Sequence, residues 1–310
     1  MMNNNIKISI VVLLYKKFDN LKYNFQSISK QNYHNYEVIL QDDGSDNFDL
    51  KYIMDLASEI HIDVSVESNH KNCGTVKNYN KAILRCSGDI IVPLSQDDVF
   101  CDEHSLEYIV NFFEENQVDV CFAKRKGKIS GRVYPDKKDI ELMNKCDNNL
   151  LWGRLAVNNF ISGSVLYWRK DYLINNLFDE RYILMEDYPK IMDLVYKRKK
   201  IGFIDENIII YGEKGVVGGG KVNKLLNKDK LLLIEDLIRG DYIGEIKGIN
   251  LLKKFLELKL YLVENNTNWG LSVPIRLWYV NIIFMCCKIV SKIFGVSSDY
   301  ILAKILLKQK

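Results

Sequence analysis

The sequence lacks the patterns that build zinc sites and disulfide scaffolds. Its seven cysteines are an odd number, no two of them are spaced as C-x-x-C, and its four histidines never occur as H-x-x-x-H. We therefore expect neither a zinc site nor a disulfide framework, and a reducing compartment is the simplest interpretation.

Long apolar runs and an excess of one charge are also lacking. No stretch of 18 or more apolar residues occurs, so no ordinary transmembrane helix is predicted. The N-terminus has neither the basic region nor the cleavage site of a signal peptide. A net charge of +3 over 310 residues gives no reason to expect nucleic acid as a partner.

Short β-branched runs alternate with helical patterns through the first 122 residues. Ile8 to Leu14 is nearly all apolar, which predicts a strand buried on both faces. Such an alternation predicts an α/β fold with a mostly parallel sheet. The further strands are predicted at 36–40, 62–66, 89–94 and 118–122, and the helices at 19–30, 48–58, 75–86 and 103–116.

The rest of the chain changes character in two steps. Residues 161–211 predict a strand, a helix, a turn at 186–187, a helix and a β-ribbon, whereas 124–160 gives no clear pattern. After residue 221 the periodicity is helical, and only Pro274 interrupts it. We therefore predict a catalytic domain at 1–220 and a helical region at 221–310.

Two acidic clusters follow predicted strands. One is Asp42-Asp43-Gly44-Ser45 and the other is Ser95-Gln96-Asp97-Asp98. Ligands of parallel sheets bind beyond the carboxyl ends of the strands. An acid in the first cluster can accept hydrogen bonds from a base or a ribose, and the Asp97-Asp98 pair suits Mg²⁺ or Mn²⁺. Taken singly, each cluster is also compatible with a turn or a helix cap.

Two further polar groups stand at predicted helix starts. Glu186-Asp187 could supply the base for an attacking hydroxyl, or it could cap a helix before Pro189. Asn72-Cys73-Gly74, followed by Lys77, could face an anionic ligand. The alternative for the second group is an ordinary helix start with a solvated lysine.

In this order the motifs resemble the family 2 inverting glycosyltransferases, which have the Rossmann-like glycosyltransferase-A fold. The resemblance runs from about Ile8 to Tyr211 and includes the stretch from Gln31 to Glu37 before the second strand. It implies a nucleoside diphosphate sugar as donor, with uridine diphosphate (UDP) as the nucleotide. The implied acceptor is a glycan or a lipid-linked molecule, in cell-surface polysaccharide synthesis.

The resemblance also implies residue roles. Asp43 matches the uracil-contacting acid, with Asp42 beside it, and Lys77 replaces a common arginine. Asp97 matches the metal ligand and Asp98 follows it, while Ser95 stands where the family has the first acid of D-x-D-D. Asp187 matches the base, and Glu186 is the second candidate. The sequence departs from the family again after the first strand, where Pro-Thr-Tyr-Asn is replaced by Leu13-Leu14-Tyr15-Lys16.

Two other functions remain open at this point. A nucleotidyltransferase on a related sheet would need a glycine-rich basic loop after the first strand, and Tyr15-Lys16-Lys17 has no glycine. A non-catalytic module that binds nucleotide sugars or glycans would be expected to lack the metal ligand or the base, but Asp97 and Asp187 are both present.

The C-terminal third suggests a membrane contact. Between 276 and 310 there are six basic residues and one acid among many apolar ones, a composition that suits an interfacial helix on an anionic membrane. This predicts a cytoplasmic enzyme that is peripheral on the inner face of the cytoplasmic membrane. Packing against the catalytic domain or in an oligomer is the alternative. The glycine-rich segment 212–220 could be a lid or a plain connector.

Overall fold

A computed structural model describes residues 6–145, 148–213, 223–239, 249–265, 273–294 and 298–306. Within them, nine strands form one sheet. The strands are β1 (Ile8–Leu14), β2 (Tyr36–Asp42), β3 (Val64–Ser68), β4 (Ile90–Pro93), β5 (Val99–Phe100), β6 (Val120–Gly127), β7 (Val133–Tyr134), β8 (Leu166–Arg169) and β9 (Ile201–Tyr211). The helices are α1 (Leu21–Ser29), α2 (Leu50–Ile60), α3 (Thr75–Arg85), α4 (Ser105–Glu115), α5 (Lys137–Lys145), α6 (Asn148–Val157), α7 (Lys170–Ile174), α8 (Asp187–Tyr196), α9 (Lys224–Arg239), α10 (Ile249–Glu264), α11 (Trp278–Phe294) and α12 (Ser298–Leu306).

The described residues form two compact units that interleave along the chain. The sheet unit comprises those within 1–135, 161–190 and 200–221. The helical unit comprises those within 136–160, 191–199 and 222–310. The predicted division at residue 220 stays a prediction.

The sheet confirms the predicted α/β class. Its order is β3-β2-β1-β4-β8-β6-β9-β5, and β7 pairs with β6. The first four strands in this order are parallel to one another. Strand β8 lies between β4 and β6 and pairs antiparallel with both. Because β2 and β4 flank β1, their carboxyl ends lie at one edge of the sheet.

The core explains why β1 is an apolar run. Ile10 and Val12 are buried in one cluster with Phe25 of α1 and Ile53 of α2. Val11, which points to the other face, is buried as well. Side chains of a strand alternate between faces, so burial on both faces requires apolar residues at successive positions, as the sequence predicts.

The predicted β-ribbon before residue 211 is wrong. The segment is the single strand β9, which pairs parallel with β6 and antiparallel with β5. The register jumps from the pair Ala123–Ile204 to the pair Lys124–Asn207. The two intervening polar residues, Asp205 and Glu206, are thus an exposed irregularity within one strand and not a turn.

The helical unit contains α9 to α12, in the region where helical periodicity was predicted. Buried polar contacts stabilise it: Arg154 of α6 pairs with Asp139 of α5 at 2.7 Å. Lys259 of α10 donates to the carbonyls of Ala156 and Val157 at the end of α6. Among the described residues, no helix is long and apolar enough to cross a membrane.

Candidate active site

The turn after β2 is stabilised by the first acid of its cluster. The buried Asp42 carboxylate accepts hydrogen bonds from the Ser45 amide at 2.9 Å, the Ser45 hydroxyl at 2.5 Å and the Ser68 hydroxyl at 2.7 Å. Gly44 within this turn has a φ of +69°, and a Cβ there would lie 2.5 Å from the carbonyl carbon of Lys71. Asp42 therefore fixes the loop in which Asp43 stands.

Asp43 connects this turn to the start of α3. Its Oδ1 accepts from the Asn69 amide group at 3.1 Å and from the Cys73 N–H at 2.8 Å, and its Oδ2 accepts from the Gly74 N–H at 3.0 Å. Two of the backbone amides that could have faced an anionic ligand, those of Cys73 and Gly74, thus donate to Asp43. Lys77, on the first turn of α3, is exposed to solvent.

The loops after three strands are joined by hydrogen bonds. The Tyr15 N–H donates to Gln96 Oε1 at 3.2 Å, and the Lys16 N–H donates to the Ser45 hydroxyl at 2.8 Å. The Asp43 N–H donates to the Leu14 carbonyl. The structure therefore brings both acidic clusters to one edge, as the strand-end pattern predicts.

The second cluster contains a buried acid with one free oxygen. Asp98 Oδ1 accepts from the Gly212 N–H at 2.8 Å, whereas its buried Oδ2 has no hydrogen-bond partner. Burial, and then the charge of Asp97, raise the pKa of Asp98 to about 7 against opposing contributions from Gly212 and Arg125. The exposed Ser95 accepts the Asp98 N–H through its carbonyl at 2.9 Å.

Asp97 lies directly against a glycine. A Cβ on Gly212 would stand 2.8 Å from the Asp97 carbonyl oxygen and 2.9 Å from its Oδ2. Real Cβ atoms do not approach this closely, so the position of Asp97 depends on the absence of a side chain at the end of β9.

The proposed base is the first residue of α8. Asp187 Oδ2 accepts from the Gly163 N–H at 2.8 Å and Oδ1 accepts from the Tyr188 N–H at 2.7 Å. Burial raises the pKa of Asp187, and these N–H groups and the charge of Arg125 partly oppose the shift. A Cβ on Gly163 would lie 2.9 Å from Asp187 Oδ2. Burial raises the pKa of Tyr79 on α3, and the charge of Glu186, the neighbour of Asp187, raises it further.

One positively charged side chain of this site, Arg125, was not predicted from the sequence. The Arg125 guanidinium on β6 lies 3.8 Å from the ring centre of Tyr211 and 5.4 Å from that of Tyr134. Its Nε is buried without a hydrogen-bond partner, and it forms no ion pair with any residue that the structure describes. The predicted strand ended at 122, which left Arg125 in a basic run, Lys124 to Lys126, typical of a solvated loop.

Arg125 and Tyr211 stand among the three candidate acids. The charge of Arg125 lowers the pKa of both Asp98 and Asp187. After burial, the charges of Asp98, Asp97 and Asp187 each raise the pKa of Tyr211. The strand-end pair and the start of α8 therefore both interact electrostatically with Arg125 and Tyr211, although about ninety residues separate Asp97 from Asp187 in sequence.

The acids fit a divalent cation that takes further ligands from a substrate. In the part of the chain that the structure describes, no group of three or more His, Cys, Asp or Glu side chains could hold a metal ion. The unpartnered Asp98 oxygen beside Asp97 is a suitable donor set for a hard cation. Mg²⁺ and Mn²⁺ commonly use one or two carboxylates together with substrate phosphates. The segment 214–220, which contains most of the suggested lid, lies outside the described residues.

Two known proteins are similar to this chain in sequence. A cholesterol galactosyltransferase of Borreliella burgdorferi is 23% identical, over 97% of this chain and 91% of that protein. An uncharacterized glycosyltransferase of Haemophilus influenzae is 24% identical over 60% of this chain, and the match spans 59% of that protein.

A solved structure shows the same fold. Residues 1–349 of Staphylococcus aureus TarS, in complex with UDP-GlcNAc, align with a TM-score of 0.61 and 16% identity over 98% of this chain and 91% of that one. This chain covers 47% of the longer TarS structure.

The family match covers the strand-end part of the site, whereas Asp187, Tyr211 and Gly212 lie beyond it. Residues 9–173 match the family described as glycosyl transferase family 2, which is more than half of the 310 residues. The matched region contains all of β1 except Ile8, the strands β2 to β4, both acidic clusters and Arg125. The chain belongs to glycosyl transferase family 2 and is a glycosyltransferase.

Proposed function

We propose that this glycosyltransferase transfers a sugar from a UDP-sugar, with inversion, to a glycan or a lipid-linked acceptor in cell-surface polysaccharide synthesis. The observation that carries the proposal is the arrangement of Asp97, Asp98 and Asp187 around Arg125. In this arrangement Asp97 and Asp98 would serve the diphosphate and its metal, and Asp187 would serve as the base. The UDP-GlcNAc complex of TarS supports the choice of donor.

The donor would bind at the edge formed by the loops after β1, β2 and β4. Asp43 is held there by Asn69 and the start of α3, in the position that the family assigns to the uracil contact. Asp97, with Asp98 beside it, would hold Mg²⁺ or Mn²⁺ against the diphosphate. The metal would supply electrostatic stabilisation of the leaving nucleotide. Arg125 adds a fixed positive charge from β6.

The acceptor hydroxyl would give its proton to Asp187. The hydrogen bonds from Gly163 and Tyr188 fix the carboxylate, and Arg125 favours its ionised form. An oxygen deprotonated by Asp187 attacks the anomeric carbon opposite the leaving diphosphate. One base and no protein nucleophile suffice for such a single displacement, which inverts the anomeric centre.

The name of one relative supports a lipid-associated acceptor. The B. burgdorferi cholesterol galactosyltransferase matches over nearly the whole of both chains. We propose that the acceptor hydroxyl belongs to a lipid or lipid-linked molecule at the cytoplasmic face of a membrane. This places the enzyme at the membrane surface as a peripheral protein.

A panel of nucleotide sugars, tested with Mg²⁺, Mn²⁺ and a chelator, examines the donor proposal. We expect release of UDP from one UDP-sugar, loss of release with the chelator, and a drop of about 10²–10⁴-fold in Asp187→Asn. Asp205→Asn, which removes an exposed carboxylate of β9, is the matched control and should keep full activity. Tighter binding of guanosine or thymidine diphosphate sugars would contradict the choice of UDP. Binding without turnover of any donor would favour a non-catalytic module.

A further inference from the structure

One side of α11 and the turn before it is an exposed apolar surface, here called the α11 stripe. Its members recur every three or four residues, so that they share one face of the helix. Their exposed fractions run from 38% to 86%. The stripe consists of Ile275, Trp278, Tyr279, Ile282, Met285, Ile289 and Val290.

The opposite side of α11 is buried in the helical unit. Val280, Phe284 and Cys287 are at most 6% exposed, and the Phe284 ring lies 6.2 Å from the Phe255 ring of α10. One apolar face of α11 therefore packs in the core of the helical unit. The α11 stripe is a second apolar face, which the packing of the described helical unit does not cover.

The charges around the stripe have one sign. Arg276, Lys288 and Lys292 are exposed, and the segment 273–294 contains no Asp or Glu. The Lys288 Nζ lies 4.8 Å from the ring centre of Phe284. Lysine and arginine stems can lie along apolar surface while their charged ends reach a polar layer. An apolar stripe with basic borders complements a surface that is apolar inside and anionic outside.

The polar group of the largest stripe residue is already satisfied. The Trp278 indole N–H donates to the Val273 carbonyl at 2.6 Å. Moving the ring out of water would therefore leave no unpaired donor, which is otherwise the main cost of burying an indole. The stripe offers apolar area without an unsatisfied polar group on this ring.

We propose that the α11 stripe binds the surface of an anionic lipid bilayer, with α11 lying in the plane of the interface. Its 17 residues rise about 25 Å, less than a roughly 30 Å hydrocarbon core. Helices with one apolar face and basic flanks lie in the interface. A symmetric contact between two copies would instead bring the cations of two α11 helices together without an acid on either one.

This proposal rests on the membrane placement proposed above and names the surface responsible for it. Its test needs no donor or acceptor, so its failure would leave the proposed transfer reaction standing. Full-length protein is sedimented with vesicles of phosphatidylcholine alone or mixed with phosphatidylglycerol, at low and high salt. We expect strong binding to the mixed vesicles at low salt only, because salt screens the basic residues. Lys288→Ala and Lys292→Ala should each weaken this binding about fivefold.

A double variant tests the stripe itself. Ile282→Asp with Ile289→Asp replaces two side chains that are more than half exposed, so the fold should survive, and binding should fall at least tenfold. The matched control is Leu84→Asp on α3, where an equally exposed leucine should make no difference. Quenching of Trp278 fluorescence by brominated lipid, absent in Trp278→Phe, would place the ring in the acyl region.

Three outcomes would overturn the proposal. One is equal binding to both vesicle types at all salt concentrations. Another is an unchanged affinity in the double variant. The third is a wild-type dimer in analytical ultracentrifugation that the double variant dissociates while vesicles bind neither protein, which would make the stripe a contact between copies.

Discussion

The Arg125 guanidinium contacts two aromatic rings, and its charge acts on two of the candidate acids, Asp98 and Asp187. The guanidinium lies over the Tyr211 ring, a contact that costs it no charge and leaves its hydrogen-bond donors available. Its charge lowers the pKa of Asp98 and of Asp187 against the burial that raises both, so it favours the ionised form of these two acids.

Replacing Arg125 tests whether its charge keeps the pKa of Asp187 low enough for catalysis. Asp187 must be ionised to act as a base, and its pKa is already raised by burial. Activity should therefore fall as pH falls through that pKa. Arg125→Met removes the opposing charge, so the fall should begin at higher pH, with a loss of about 10²–10³-fold in kcat/KM. The measurement is a pH profile of kcat/KM.

Two companion variants make the result specific. Arg125→Lys keeps the charge, and its acidic limb should lie closer to that of the wild type. Lys126→Met alters the exposed neighbour on β6 and should leave the profile unchanged. An acidic limb that does not move in Arg125→Met would contradict this role.

At the scale of elements, the end of β9 and the short helical turn Gly163–Val165 each bring a glycine against a candidate acid. Gly212 lies against Asp97 and Gly163 against Asp187. Both glycines also donate their N–H groups, to Asp98 and Asp187 respectively. These two backbone segments therefore shape the site as much as the acids do.

Gly212→Ala should damage the site but not the fold. The added Cβ would be 2.8 Å from the Asp97 carbonyl oxygen, so Asp97 must move, and small displacements of catalytic groups can cost about 10²-fold in rate. We expect a large loss of kcat and a weaker response to metal, with an unchanged circular dichroism spectrum. The comparison variant is Gly131→Ala, which strains a backbone with a φ of +65° but brings its Cβ within 4 Å of no other atom, so it tests backbone strain without any contact with Asp97. Equal activities of the two variants would count against the steric argument.

The elements differ in how far the sequence predicts them. Strands β1, β2 and β4 are apolar on both faces, so their runs and the acidic clusters after them are visible locally. The part of β6 that carries Arg125 is partly exposed and basic, and it resembles a loop. The contacts of Gly163 and Gly212 join residues 24 and 115 positions apart, and no local pattern encodes such a pairing.

At the scale of the whole molecule, two carboxyl groups make the stability depend on pH in opposite directions. Burial alone would raise the pKa of Glu37, but hydrogen bonds from Ser87, Ser9 and Lys7 outweigh it and lower the pKa to about 2. Burial raises the pKa of Asp98 to about 7. Glu37 therefore stabilises the fold at neutral pH, whereas ionised Asp98 destabilises it.

The ligand-free protein should be most stable in mildly acidic solution. The stabilisation that protonated Asp98 gives to the folded state is fully present below the pKa of 3.8 that it has in the unfolded chain. It is lost as pH rises through the folded-state pKa of about 7. From pH 7.5 down to pH 5 it should add about 2–3 kcal/mol to the free energy of unfolding. The Glu37 contribution is present above its unfolded pKa of 4.5 and is lost as pH falls through about 2. Stability should therefore rise from pH 7.5 to 5 and decline below about pH 4.

Thermal unfolding at several pH values, without metal or nucleotide, measures both limbs. Asp98→Asn should flatten the rise between pH 7.5 and 5, and Glu37→Gln should reduce the decline at low pH. Asp205→Asn, an exposed acid, should change neither. A rise that persists in Asp98→Asn would assign it to the other buried acids whose pKa is raised, Asp139 and Asp187. If the rise does belong to Asp98, about half of the ligand-free molecules carry an ionised and destabilising Asp98 at neutral pH, and a bound cation would relieve that destabilisation directly.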